Sequence, residues 1–148
     1  MAINIFIVFR ILIGVLFVVS GFEKLIGPYQ NFLYIVQSYD MLPAWGEEIA
    51  ARTMPWIEFV SGVFMALGLR LTVALPAVMA LLMAFIVVVG QALIRKLPID
   101  ECGCFGTLIS FPLNVVIVLD SLLLVLTGIL AGKRDDAQKF SLDGYLNE

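Results

Sequence analysis

The only two cysteines of the chain stand one residue apart, in the run Asp100-Glu101-Cys102-Gly103-Cys104-Phe105-Gly106. A thiolate attacks a disulfide sulfur and a second nearby thiol resolves the mixed disulfide, so a close pair of cysteines has the parts for thiol-disulfide exchange. Two cysteines this close can reach bonding distance only if the backbone bends, and Gly103 between them permits dihedrals that a side chain would forbid. A ring so small is strained, and strain favours a labile, oxidising disulfide over a permanent staple. Local charge decides how readily either sulfur ionises. Asp100 and Glu101 disfavour the thiolate, whereas Arg95, Lys96 and the start of a following helix, with Ser110 as its cap, favour it. The same pattern also fits a soft-metal site for Cu(I) or Zn(II), or a pair of inert packing thiols. The chain has no histidine and offers few other ligands beside the cysteines, which argues against the metal.

The elements that must hold this loop are set by composition. Hydrophobic residues make up 61% of the chain and charged residues 14%, far from the balance of a soluble domain. Apolar tracts run from about Ile5 to Phe22, Met54 to Leu69, Leu71 to Ile94 and Phe111 to Ala131, each near the roughly 20 residues that a helix needs to cross a bilayer. The expectation is an all-α integral membrane protein: an antiparallel four-transmembrane-helix bundle, residues 1–131 as one domain and 132–148 as a short polar tail. A cleaved signal peptide is a poor reading of the first tract, which lacks a basic leader and a small-residue cleavage site and carries Arg10. The second and third tracts meet at Gly68-Leu69-Arg70-Leu71-Thr72, room only for a tight hairpin. Between the first and second, Tyr29, Phe32, Leu33, Val36 and Tyr39 recur at helical spacing beneath Gln30, Asn31, Gln37 and Asp40, the pattern of an amphipathic helix in the interface. Tyr29, Tyr34, Tyr39, Trp45 and Trp56 suit headgroup depth. Such a helix is an anchor, or a gate over a lipid-soluble ligand.

Charge orients the bundle only narrowly. With four spans, Arg10, Arg70, Lys133, Arg134 and Lys139 share one side and Lys24, Arg52, Arg95 and Lys96 the other, five against four, which favours cytoplasmic termini in a bacterial-type inner membrane and an outward-facing cysteine loop. Parity gathers the thiols, Glu23, Lys24, Glu58, Arg95 and Lys96 at one face whichever way the chain inserts. Glu58 sits about one turn beyond Met54 and so near the depth of Lys24. An ionisable group inside a span costs at least about 2.5 kcal/mol unless paired or hydrated, so Glu58 is expected to point inward with Lys24 as its partner, either to fix helix register or to move protons. Deeper in, Arg10 and Asp120 are expected to pair and hold the first and fourth spans together. Ser20-Gly21, Ser61-Gly62 and Ala66 are small enough to let backbones approach closely.

The run from Arg10 through Ser20-Gly21-Phe22-Glu23-Lys24-Leu25 to Pro28 resembles the first-helix signature of DoxX-type proteins, and Pro55-Trp56-Ile57-Glu58-Phe59-Val60-Ser61-Gly62 resembles their second-helix pattern. Cys102-Gly103-Cys104-Phe105-Gly106 is similar to the motif of the MauE branch. The resemblance covers residues 8–131. It implies a four-helix membrane bundle linked to thiol or sulfur redox: MauE-like members are associated with maturation of disulfide-rich periplasmic proteins such as methylamine dehydrogenase, and DoxX-like members with thiosulfate oxidation coupled to quinone.

Together these readings give a membrane thiol-disulfide oxidoreductase or redox partner subunit. Cys102 and Cys104 exchange with an extracytoplasmic protein thiol or small sulfur compound, Lys24 and Arg95 steady anionic intermediates, Glu58 handles protons, and a membrane quinone between the interfacial helix and the bundle takes the electrons. The quinone is drawn by analogy with other membrane thiol oxidases. The competing class is a non-catalytic anchor or assembly subunit in a hetero-complex with a periplasmic redox enzyme. A transporter of small sulfur species is third, weakened by the lack of paired broken helices, although Pro76 could kink one span. No phosphate loop, catalytic triad or nucleic-acid patch is visible, and a net charge of -3 gives no reason to expect one.

Overall fold

The computed structural model describes residues 4–99, 111–139 and 141–146. These form helices α1 (Ile5–Ile26), α2 (Tyr29–Ser38), α3 (Ala44–Leu67), α4 (Leu71–Ile94), α5 (Leu113–Gly132), α6 (Arg134–Ala137) and α7 (Leu142–Leu146), with no strand among the described residues. The cysteine loop, with Asp100, Glu101, Cys102, Gly103, Cys104 and Ser110, lies outside them.

Among the described residues, three helices, α1, α4 and α5, are long and apolar enough to cross a membrane. Their outward residues, among them Leu12, Val15, Phe22, Met83, Val87, Leu122 and Val125, are apolar and exposed, which suits contact with lipid. The expected fourth span differs. Its helix, α3, begins at Ala44, ten residues before the apolar tract, and continues through Pro55. Ala44, Glu47, Glu48, Ala50, Ala51 and Arg52 are good helix formers, with Pro43 ahead of the first turn and Glu47 within it, an arrangement that starts a helix readily. The apolar part from Met54 to Leu67 is 14 residues, about 21 Å of helix against a hydrocarbon core of about 30 Å.

Backbone proximity joins α1 to α3. A Cβ on Gly14 would lie 2.5 Å from the Ala66 nitrogen, one on Gly21 2.6 Å from that of Phe59, and one on Gly62 2.7 Å from that of Val18. Small residues here act as the sequence suggests, removing the side chains that would keep the axes apart. Ile13, Phe17, Met65, Leu71, Leu75, Val78, Leu82 and Leu130 make the main core. A second cluster places Tyr39, just after α2, among Val89 and Ala92 of α4 and Leu113 and Val116 of α5.

The α3–α4 hairpin is as tight as expected. Leu69 N–H donates to Phe64 O (2.8 Å) and Gly68 N–H to Met65 O (3.2 Å), the Schellman pattern, with Gly68 at φ 71°. The polar tail folds back onto this hairpin: Ala137 and Ser141 are buried, and Asp143 Oδ2 accepts the Arg70 N–H at 2.6 Å.

Candidate functional site

Lys24 lies in the last turn of α1 and Glu58 about midway along α3, and the close α1–α3 contact brings them together. Lys24 Nζ donates to Glu58 Oε2 at 2.9 Å and Oε1 at 3.1 Å. It also donates to the Ser20 hydroxyl at 2.8 Å, which in turn donates to Glu58 Oε1 at 2.7 Å. All three residues are buried, Glu58 being 2% exposed. The three groups close a ring in which a charged donor meets a charged acceptor and a hydroxyl bridges them, the kind of satisfied network that makes a buried ion pair tolerable. Ser20 enters the sequence reading only as a small residue. Its position four before Lys24, on the same face of α1, is the signal that places it in the ring.

Above this ring lies α2. The Phe32 ring sits 5.6 Å from Lys24 Nζ and the Tyr29 ring 5.1 Å from the Arg52 guanidinium, both within cation–π range. An open pocket of about 450 Å³ leads to Lys24 between Tyr29, Phe32, Arg52, Pro55 and Trp56. On the other side of Phe32, an apolar cavity of about 150 Å³ lies beneath α2, walled by Val36, Tyr39, Met54, Phe85 and Val88 among others. Phe32 lines both.

The far end of α2 is clamped by α4. Gln91 Nε2 donates to Tyr39 O at 3.1 Å, and Arg95 donates to Asp40 O (3.1 Å), Asp40 Oδ2 (3.2 Å) and Gln91 Oε1 (3.2 Å). The expected role of Arg95 beside anionic intermediates therefore meets a competing engagement: its guanidinium braces the turn at Asp40, a non-glycine residue at φ 48°. Gln91 is absent from the sequence reading, and the signal for it is an amide in an otherwise apolar helix. Burial pushes the Tyr39 phenol up to about 12, with the Asp120 carboxyl a second cause.

The expected pairing of Arg10 with Asp120 is not formed. The Arg10 guanidinium donates to Ala137 O at 2.5 Å and packs against Gly68, where an added Cβ would come within 2.7 Å of its Nη1. The reason is the returning tail: α6 presents one of its last carbonyls, which a helix leaves open at its end, within reach of the N-terminal part of α1. Asp120 is fully buried on α5, and neither of its oxygens has a hydrogen-bond partner among the described residues. Glu23, half-buried next to Lys24 in sequence, caps the turn after α1 through its carbonyl, which accepts the Gly27 N–H at 3.1 Å.

A buried Lys–Glu–Ser ring thus lies under an amphipathic helix, beside helices long and apolar enough to cross a membrane. The sequence profile described as methylamine utilisation protein MauE matches residues 3–132. The chain belongs to the MauE family. A methylamine utilization protein MauE of Paracoccus denitrificans is 29% identical over 119 residues, which cover 78% of this chain and 61% of that relative. The chain thus spans less than two thirds of that MauE protein's length. No solved structure matches. The MauE match takes in the whole Lys24–Glu58–Ser20 ring, the two cavities beneath α2, and Cys102 and Cys104.

Proposed function

We propose that this MauE-family chain is a membrane thiol-redox subunit in which Cys102 and Cys104 form the exchanging pair and a lipid-soluble quinone is the electron acceptor. Residues 1–131 act as one four-span unit, with α3 as the fourth, antiparallel span and its charged first turns at the interface; residues 132–148 are its tail. The observation that carries the reading is that Phe32 of α2 separates an apolar cavity of about 150 Å³ from an open pocket that reaches Lys24, whose ammonium is paired with the buried Glu58 carboxylate at 2.9 Å. An apolar slot beside a few convergent polar groups is the usual form of a site for a lipid-soluble molecule with a polar head.

The chemistry balances in two steps. A partner dithiol gives up two protons and forms its own S–S bond as the Cys102–Cys104 bond breaks and both thiols re-form. The two thiols then pass two electrons and two protons to the quinone, which leaves as quinol while the Cys102–Cys104 bond is restored. Glu58 relays protons, and Lys24 offers positive charge to the oxygen that gains electrons. The relative's name ties that protein to methylamine utilisation; for this chain the partner is a thiol protein or small sulfur compound outside the cytoplasmic membrane, with the termini inside.

Thiol trapping in intact cells with a membrane-impermeant alkylating reagent tests this reading, with Cys102→Ser and Cys104→Ser to assign the shifts. The expected result is a pair silent until mild reduction and then labelled from outside. Reduced protein in nanodiscs should regain its disulfide on addition of a short-chain benzoquinone. Thiols that stay silent to the outside reagent in both states, or that fail to reoxidise with quinone, overturn it and favour a non-catalytic anchor for a periplasmic redox enzyme.

A further inference from the structure

The N-terminal part of α3 carries a surface that the thiol chemistry does not use. Ala51, Pro55 and Glu58 lie on the buried face of this helix. Trp45, Ile49, Arg52 and Trp56 follow one another at intervals of four, three and four residues, which places them in one strip on a helix of 3.6 residues per turn. The strip faces outward: Trp45, Ile49 and Trp56 are 71, 55 and 59% exposed, and Glu48 and Arg52 beside them are exposed as well. Arg52 and Trp56 wall the open pocket together with Lys24 and Gly27, so this part of the strip is level with the end of α1. That helix is long and apolar enough to cross a bilayer, and at its end hydrocarbon gives way to headgroups. Indole rings are most stable at that depth.

The charges on the strip are arranged unusually. Glu48 stands four residues before Arg52, the spacing and order at which a helical ion pair forms most readily. No ion pair joins them among the described residues. The competing attraction is α2, since the Arg52 guanidinium lies 5.1 Å from the centre of the Tyr29 ring, within cation–π range. A carboxylate and a guanidinium therefore stand one turn apart, about 6 Å along the axis, each open to a ligand of the opposite sign. Lys24 is already neutralised by Glu58, and Arg52 is the one cation of α3 against Glu47 and Glu48 in the same turns. The patch is net acidic, which disfavours an anionic lipid and suits a headgroup that carries both signs. We propose that this strip binds a phospholipid with a zwitterionic phosphoethanolamine headgroup, the phosphate accepting from the Arg52 guanidinium and the primary ammonium donating to Glu48. The order of residues along α3 matches such a lipid. Trp56 and the exposed Val60 lie on the hydrocarbon side for the acyl chains, Arg52 comes next at phosphate depth, and Glu48 is one turn further out, where the ammonium projects. A guanidinium is the side chain best shaped to hold a phosphate through paired donors. The inference concerns the lipid at the edge of the bundle and does not rest on the thiol or quinone chemistry.

Native mass spectrometry of the full-length chain tests it, after exchange in detergent with equal amounts of phosphatidylethanolamine, phosphatidylglycerol and phosphatidylcholine of one acyl composition. The wild type should retain the ethanolamine lipid about fivefold more than either competitor, the factor that one charged contact near the membrane surface contributes. The choline lipid is the sharper control, because its methylated nitrogen keeps the charge and cannot donate a hydrogen bond to Glu48. Glu48→Gln should erase the preference over phosphatidylglycerol, and Arg52→Gln should lower retention of all three lipids. Both residues are exposed, so neither substitution disturbs the core. Equal retention of the three lipids by the wild type would show only annular lipid and overturn the proposal. A preference for phosphatidylglycerol would overturn it too, as would an ethanolamine preference that survives unchanged in both variants, since the lipid would then be held elsewhere.

Discussion

Ser20 carries more of the site than its size suggests. Its hydroxyl accepts from Lys24 and donates to Glu58, so its removal strips one hydrogen bond from each of two buried charges. Hydrogen bonds to charged groups contribute about 1.5–3 kcal/mol, and an unfilled buried donor adds its own desolvation cost. Ser20→Ala is therefore expected to lower stability in detergent by about 2 kcal/mol, read by denaturant unfolding, with Ser20→Thr retaining most of it. A loss below about 0.5 kcal/mol would mean that water substitutes for the hydroxyl and that the ring is less closed than its geometry implies. The approach of Lys24 to Glu58 is legible in the sequence, because two ionisable groups at one depth in apolar helices have few alternatives. The ring is less so. A serine beside a glycine in a membrane helix reads equally as a packing residue, and only the rotation of α1 against α3 decides which it is. Arg10 shows the opposite failure: its partner is a backbone carbonyl, and a carbonyl leaves no mark in the side-chain pattern.

Among the elements, α1 and α3 form the seam on which the ring depends. The seam is readable from Ser20-Gly21, Ser61-Gly62 and Ala66, since close backbone approach has a compositional cost that only small residues meet. What the pattern hides is where α3 begins. The polar stretch before Met54 looks like interface, and the break between helices falls at Asp40–Pro43, where a non-glycine residue takes a positive φ under the grip of Gln91 and Arg95. The seam makes a sharp prediction. At Gly21 a methyl group would stand 2.6 Å from a backbone nitrogen of α3, which no rotamer change can relieve. Gly21→Ala should cost about 1–3 kcal/mol and also weaken the Lys24–Glu58 contact three residues away. Gly128→Ala on α5, where nothing lies within 4 Å of the new methyl, should be neutral or gain up to about 1 kcal/mol. Unfolding of both variants in the same detergent checks the contrast. Equal effects would mean that the helices separate freely in the membrane and that the seam does not set the site.

At the scale of the whole molecule the two ends of the bundle are built differently. One end holds the buried ring, the cavities under α2 and the clamp at Asp40. The other is closed by the tail, through Arg10 on Ala137 O, Asp143 on the Arg70 N–H, and Ser141 against Gly68. The composition of residues 132–148 predicts a polar extension and says nothing of docking, because two of its contacts, Arg10 to the Ala137 carbonyl and Asp143 to the Arg70 N–H, involve backbone groups that leave no mark in a side-chain pattern. The tail thereby joins the N-terminal half of α1 to the α3–α4 hairpin. If Arg10 is the main fastening, Arg10→Leu should release α6 and α7, and amide exchange across residues 134–146 should speed up while α4 keeps its protection. Asp143→Ala should loosen α7 alone, since its contact is a single hydrogen bond at an exposed turn. Arg10→Lys should fall between, because an ammonium can reach one carbonyl but lacks the planar fork that also fills the space beside Gly68. Unchanged exchange in Arg10→Leu would assign the docking to the buried Ala137 and Ser141 contacts instead. Loss of protection reaching α1 and α3 would show that the tail stabilises the seam from the far end, so that closing one end of the bundle sets the geometry of the ring at the other.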